Sequence, residues 1–165
     1  MFGGSFTHSL DSVGRFVMPK RFRSELGLEF IITKGLGCLC VFHKDYVSKY
    51  LEPELEGLGT PLEALLNPDI ARLNRHFFSE MVTQKLDGQN RVQLTPEHRR
   101  YAQIGEEVVI CGCRNFVELW SPDVLAEYQA SEERVEDLVR AGAALIVPKR
   151  ASGDSSVGVS PPGPA

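Results

Sequence analysis

With 165 residues, 42% of them hydrophobic and 24% charged, the chain has the balance of a soluble protein and enough apolar content for one domain or two small halves. It has no run of eighteen apolar residues, which excludes a hydrophobic membrane helix, and its opening MFGGSFTHSL lacks the basic-then-apolar pattern of a secretory leader, so it is read as cytoplasmic. The formal net charge of −4 argues against a polyanion partner only if the charges are mixed, and along this chain they segregate.

In chain order, a short strand over about Phe6–Leu10 enters a turn written LDSVGR, and a second short strand leaves it at Arg15. Asp11 at the first turn position and Gly14 at the fourth suit a type I turn closed by a left-handed residue. Pro19 starts a helix of one or two turns. Strands follow over about Phe30–Thr33 and Leu39–Phe42, and a longer helix starts near Lys44. The stretch PELEGLGTPLEALLNPDIARLNRHFF begins as a Pro/Gly linker and turns helical from Thr60 or Pro61 onward.

The first sentence is then written again. Leu86, Asp87, Arg91 and Arg99 stand 76 positions after Leu10, Asp11, Arg15 and Arg23. A strand over Val82–Leu86 precedes the turn LDGQNR, in which Asn90 takes the place of Gly14; Asn tolerates the left-handed conformation that the position needs. Pro96 starts the short helix, strands follow over Val108–Cys111 and Phe116–Trp120, and SPDV at Ser121 offers a cap, a proline and an early acid for the closing helix. The tail ASGDSSVGVSPPGPA has no core-forming residues and is expected to be disordered. The expected organisation is unit 1 over 5–50, a linker and helix over 51–80, unit 2 over 81–128, a helical extension over 129–150 and a disordered tail over 151–165.

The residues offer little to an enzyme. No catalytic motif is present, and His8, His43, His76 and His98 share no spacing with cysteines or carboxylates. His98 falls where the first unit has Phe22, which suits packing. The cysteines form Cys38-x-Cys40 and Cys111-x-Cys113, a spacing shorter than structural zinc sites use; buried thiols on one strand face are the alternative. No metal, cofactor or catalytic residue is therefore expected.

The arginines carry the functional signal. Between Ser12 and Ser24 the only charges are Arg15, Lys20, Arg21 and Arg23, and between Arg91 and Arg100 lie Arg91, Arg99 and Arg100 with the single acid Glu97. The acids collect at Asp123, Glu127, Glu132, Glu133, Glu136 and Asp137. A guanidinium at each turn exit of a two-stranded ribbon suits bidentate contact with guanine edges or phosphate in a major groove. A charged edge that only prevents aggregation is the alternative.

The opening MFGGSFTHSLDSVGRFVMPKRFRSEL, the paired turns, NRHFF in the middle and FVELWSPDVLAEY late in the chain resemble, over about residues 1–145, the MraZ family of bacterial transcriptional regulators. The resemblance implies an α+β fold: tandem SpoVT-AbrB-like repeats that form a pseudo-two-fold swapped-hairpin β-barrel with flanking helices. It also implies a ring-shaped homo-oligomer on double-stranded DNA, bound at promoter direct repeats of the division and cell-wall gene cluster as a nucleoid-associated repressor. Arg15 matches the family's DNA-contacting arginine and Arg91 its second-unit counterpart. Lys20, Arg21, Arg23, Arg99 and Arg100 are expected beside them as phosphate contacts; Arg23 and Arg99 have the alternative of structural ion pairs. Asp11, Gly14, Asp87 and Asn90 are the turn-building residues. Gly3, Asn90 and Thr95 depart from the family pattern. An antitoxin-like DNA-binding protein and an assembly scaffold without nucleic acid are the competing functions.

Overall fold

A computed structural model of the chain describes residues 1–56 and 59–131. Strand β1 (Phe2–Ser9) leads through the first turn to β2 (Arg15–Val17), α1 (Lys20–Leu26), β3 (Glu29–Lys34) and β4 (Leu39–His43). Helix α2 (Lys44–Tyr46) continues through a π-helical turn over Val47–Leu51 into α3 (Glu52–Glu56), and α4 (Pro61–Leu66) and α5 (Pro68–Phe78) follow. The second half repeats the first: β5 (Val82–Lys85), β6 (Arg91–Gln93), α6 (Pro96–Tyr101), β7 (Glu107–Arg114), β8 (Phe116–Trp120) and α7 (Pro122–Ser131). The expected extension beyond Ser131 and the tail lie outside the described residues.

The strands form a six-stranded antiparallel sheet in the order β1-β7-β8-β4-β3-β5 and a separate two-stranded sheet, β2-β6. This order reads the same from either end once the halves are exchanged, so a pseudo-two-fold axis passes between β4 and β8. The halves are swapped. The first half's β1 pairs with β7, the second half's β5 pairs with β3, and each ribbon strand finds its partner in the other half rather than across its own turn. The α+β tandem repeat expected from the sequence is the observed architecture.

One core lies between sheet, ribbon and helices. Phe16 and Val92 of the ribbon, Phe22 and Leu26 of α1, Phe30 and Ile32 of β3, and Val108 and Ile110 of β7 belong to it and are essentially inaccessible. Burying such a side chain stabilises the fold by about 1.5–3 kcal/mol. Phe2 and Phe6 of β1 meet the Phe22 ring edge-on, at 5.6 and 5.5 Å between centroids. In the second half, His98 takes the place of Phe22. It is fully buried, its Nε2 bonds the Glu80 carbonyl at 2.7 Å, and its Nδ1 has no partner among the described residues.

Local chemistry sets the helix starts. Thr60 and Glu63 form a reciprocal capping box at the start of α4, with Pro61 in the first turn. The helical stretch expected from Thr60 onward is two helices, because Pro68 has no N–H to continue α4 and Asn67 turns extended to cap α5 through Asp69 N and Ile70 N. Thr95, one of the departures from the family pattern, caps α6 by accepting the His98 N–H at 3.1 Å, whereas α1 has no side-chain cap. Strand β1 begins at Phe2, earlier than its sequence pattern suggests, because it gains a full-length partner in β7.

Candidate nucleic-acid interface

The two turns share one geometry. Gly14 and Asn90 both take positive φ, 81° and 60°, and their N–H groups bond the carbonyls of Asp11 and Asp87 at 3.0 and 2.9 Å. The carbonyl of each left-handed residue then accepts from the opposite half: Asn90 O from Met18 N–H and Gly14 O from Leu94 N–H, both at 3.0 Å. Each turn is therefore shaped by its own sequence and anchored by the other unit. A side chain at Gly14 would also meet Arg99, whose Cδ lies 3.1 Å from the Cβ position.

Asp11 and Asp87 do more than turn the chain. Asp11 Oδ1 accepts from the N–H groups of Val13 and Arg15, and Oδ2 from Arg15 Nε at 2.7 Å. Asp87 treats Gln89 and Arg91 the same way, again with 2.7 Å to Arg91 Nε. Each guanidinium is thus fixed by its inner nitrogen, and Arg15 keeps both terminal nitrogens free of intramolecular hydrogen bonds among the described residues. Arg91 Nη1 lies 3.9 Å from Asp11 Oδ2, so the two locks adjoin.

The Arg15 and Arg91 N–H groups, joined by their guanidiniums, hold the carboxyls of Asp11 and Asp87 below the ordinary value of 3.8. A depressed folded-state value means that the stabilisation is fully present above the ordinary value and is lost as the pH falls through the depressed one. The thermal midpoint is expected to drop below about pH 4, and to drop less steeply in an Asp11→Asn/Asp87→Asn double variant, whose amides do not titrate. Parallel midpoint-against-pH curves for the two proteins would contradict the lock.

The register sorts the ribbon by face. Arg15 pairs with Gln93, Phe16 with Val92 and Val17 with Arg91; the middle pair points into the core, and the outer two pairs make the outward face. Two side chains outside the motif brace it. Nδ1–H of His8 donates to the Val17 carbonyl at 2.6 Å, and Gln84, 76 positions on, donates to the Gln93 carbonyl at 2.8 Å. Arg15, Arg91, Gln84, Lys85, Asp87 and Gln93 line much of a cleft of about 480 Å³ beside β6. Sequence reading missed His8, Gln84 and Lys85; the one available signal was that His8 and Gln84 occupy equivalent positions.

The remaining candidates are spread more widely. Lys20 is exposed and free of ion pairs among the described residues. The Arg21 guanidinium lies along β1, with Nη2 and Nη1 3.9 and 3.8 Å from the Cβ positions of Gly3 and Gly4, far from the ribbon end of that strand. Arg23 Nε binds the Met18 carbonyl at 2.8 Å, and Arg99 binds the carbonyls of Ile104 and Gly105 at 3.3 and 3.2 Å. Both tie a short helix to backbone, so their intramolecular partners are carbonyls rather than the acids of an ion pair. Arg100 is exposed and pairs with Glu97 at 3.4 Å. The basic cluster of the sequence is in space a pair of neutralised arginines; of the other cations, Arg23 and Arg99 are tied to carbonyls, Arg100 pairs with Glu97 and Arg21 lies along β1.

The cysteines belong elsewhere. All four are free, and Cys40, Glu118 and Cys111 stand side by side across β4, β8 and β7. Hydrogen bonding with Cys38, then burial, pushes the Cys40 thiol far up, and burial with Glu118 pushes Cys113 up to about 12. The Cys40 and Cys113 thiols are therefore protonated. Among the described residues no three His, Cys, Asp or Glu side chains are disposed to hold a metal ion, and no helix is long and apolar enough to cross a membrane.

The fold is a swapped tandem α+β repeat that carries two aspartate-locked arginines on its two-stranded ribbon. The model of the family described as "MraZ protein, putative antitoxin-like" matches residues 1–66 and 77–141, and the chain belongs to this family. It is 40% identical to the transcriptional regulator MraZ of Alkaliphilus metalliredigens over 129 residues, covering 78% of this chain and 86% of that protein. The MraZ regulator of Halothermothrix orenii is 37% identical over 143 residues, with coverage of 86% and 96%. That of Corynebacterium kroppenstedtii is 32% identical over 134 residues, with coverage of 81% and 90%. The family places the chain among transcription regulators.

Proposed function

We propose that the chain is a sequence-specific DNA-binding repressor that acts in the cytoplasm, on the nucleoid, as a ring-shaped homo-oligomer at promoter direct repeats of the division and cell-wall gene cluster. The observation that carries this reading is the outward face of β2-β6, where Arg15 and Arg91 are both held at Nε and Arg15 keeps its terminal nitrogens free of intramolecular hydrogen bonds among the described residues. Arg15 and Arg91 contact bases, and Lys20, Arg99 and Arg100 are the nearest phosphate contacts. Arg23 serves mainly its own backbone, and Arg21 contacts DNA only if the duplex extends along β1.

Because aspartates neutralise the arginines, affinity comes from fork geometry and from several ribbons bound in tandem rather than from a strong local field. Gel shifts with a duplex from upstream of the protein's own operon test this. Binding to that duplex is expected to exceed binding to a scrambled one and to weaken with salt, with a log–log slope of about −2 to −4 per ribbon. Equal affinity for both duplexes would refute sequence-specific binding.

A further inference from the structure

The outward face of the ribbon breaks the two-fold symmetry that its backbone keeps. The pseudo-axis exchanges Arg15 with Arg91 and Val17 with Gln93. Both arginines are locked by equivalent bonds of 2.7 Å, both turns close at equivalent left-handed residues, and the equivalent side chains His8 and Gln84 brace the ends. What differs is side-chain chemistry, beside one 3.9 Å approach of Arg91 Nη1 to Asp11 Oδ2. Beside Arg15 stands a carboxamide, and beside Arg91 stand two methyl groups.

Neither side chain is needed by the fold where it stands. Val17 is an apolar residue left 41% exposed on the face opposite the core, and Gln93 is exposed. The Gln93 amide makes one long contact, 3.4 Å to the Val13 carbonyl, at the limit of a hydrogen bond. A carboxamide matches the donor–acceptor pair that adenine presents in the major groove, and an exposed branched apolar group matches the thymine methyl. The flank differs as well, since Lys20 corresponds to the uncharged Pro96.

We propose that Gln93 and Val17 are specificity-determining residues. Gln93 reads an adenine next to the base read by Arg15, and Val17 packs on a thymine methyl next to the base read by Arg91. A ribbon with matched residues at the two positions would accept a site and its reverse equally. This ribbon reads its site with a direction, which suits subunits lined up on direct rather than inverted repeats. The inference rests on the DNA-binding function proposed above.

Selection from a randomised duplex library tests it, using the full chain as wild type, Gln93→Ala and the exchange variant Val17→Gln/Gln93→Val. Unchanged thermal midpoints check that these outward substitutions leave the fold intact. Wild type is expected to select a non-palindromic element. Gln93→Ala should lose roughly tenfold discrimination at one adenine position while keeping both arginine-read positions. The exchange variant should trade the adenine-preferring and thymine-preferring positions. A consensus unchanged by both variants, or a palindromic wild-type element, overturns the inference. A wild type that enriches no sequence refutes DNA reading itself, a different signature, because no variant then has a motif to alter.

Discussion

Arg15→Ala is expected to abolish specific DNA binding while leaving the protein folded. Arg15 is held through Nε by Asp11, and this leaves its outer edge preset for a bidentate partner. Losing one bidentate base contact costs about 1–3 kcal/mol, or roughly five- to 150-fold, and an assembly that engages several ribbons multiplies the loss. Arg15→Lys separates geometry from charge. It keeps the cation but loses the fork, so most of the binding should still disappear. The fold should tolerate both changes, because the side chain is about one-third exposed and Asp11 keeps its bonds to the backbone of Val13 and Arg15. Gel shifts with thermal melts on the same samples read both effects. Wild-type affinity in either variant would remove Arg15 from the interface.

Gly112→Val is expected to destabilise the fold by about 3 kcal/mol, as an overpacked position does. The Cβ position of Gly112 lies 2.5 Å from Gly3 N and 2.8 Å from Phe2 C, which is backbone that no rotamer change can move aside. A side chain there must push the first residues of β1 off β7. Phe2, 6% exposed, would then leave its edge-on contact with Phe22. Gly112→Ala should show a smaller loss of the same kind, and urea midpoints rank the three proteins. Equal midpoints would mean that the β1–β7 register differs from the one described.

Much of the fold was legible in the sequence because its signals are local. The 76-residue repeat, the Asp-to-Gly or Asp-to-Asn turns, the prolines at helix starts and the alternating apolar runs depend only on near neighbours. They placed strands, turns and short helices, and they singled out Arg15 and Arg91. The split of the middle helix was local too, written in Asn67-Pro68, but helical periodicity on both sides masked it.

The tertiary structure decided what each element meets. Nothing near β2 in the chain says that its partner is β6, because strand pairing is fixed by which apolar faces close a common core. That pairing gave the outward face its membership, set Gln93 beside Arg15, and brought His8 and Gln84 to the ribbon ends. It also changed the meaning of the charges: Asp11 and Asp87, turn residues in the sequence, fold back to neutralise and aim the arginines four residues on. Arg23 and Arg99 became ties to backbone carbonyls for the same reason. The sequence by itself determined that a basic turn is repeated. Distances that cross between the halves decided that the repeat makes one ribbon, with two equivalent arginines and two unlike neighbours.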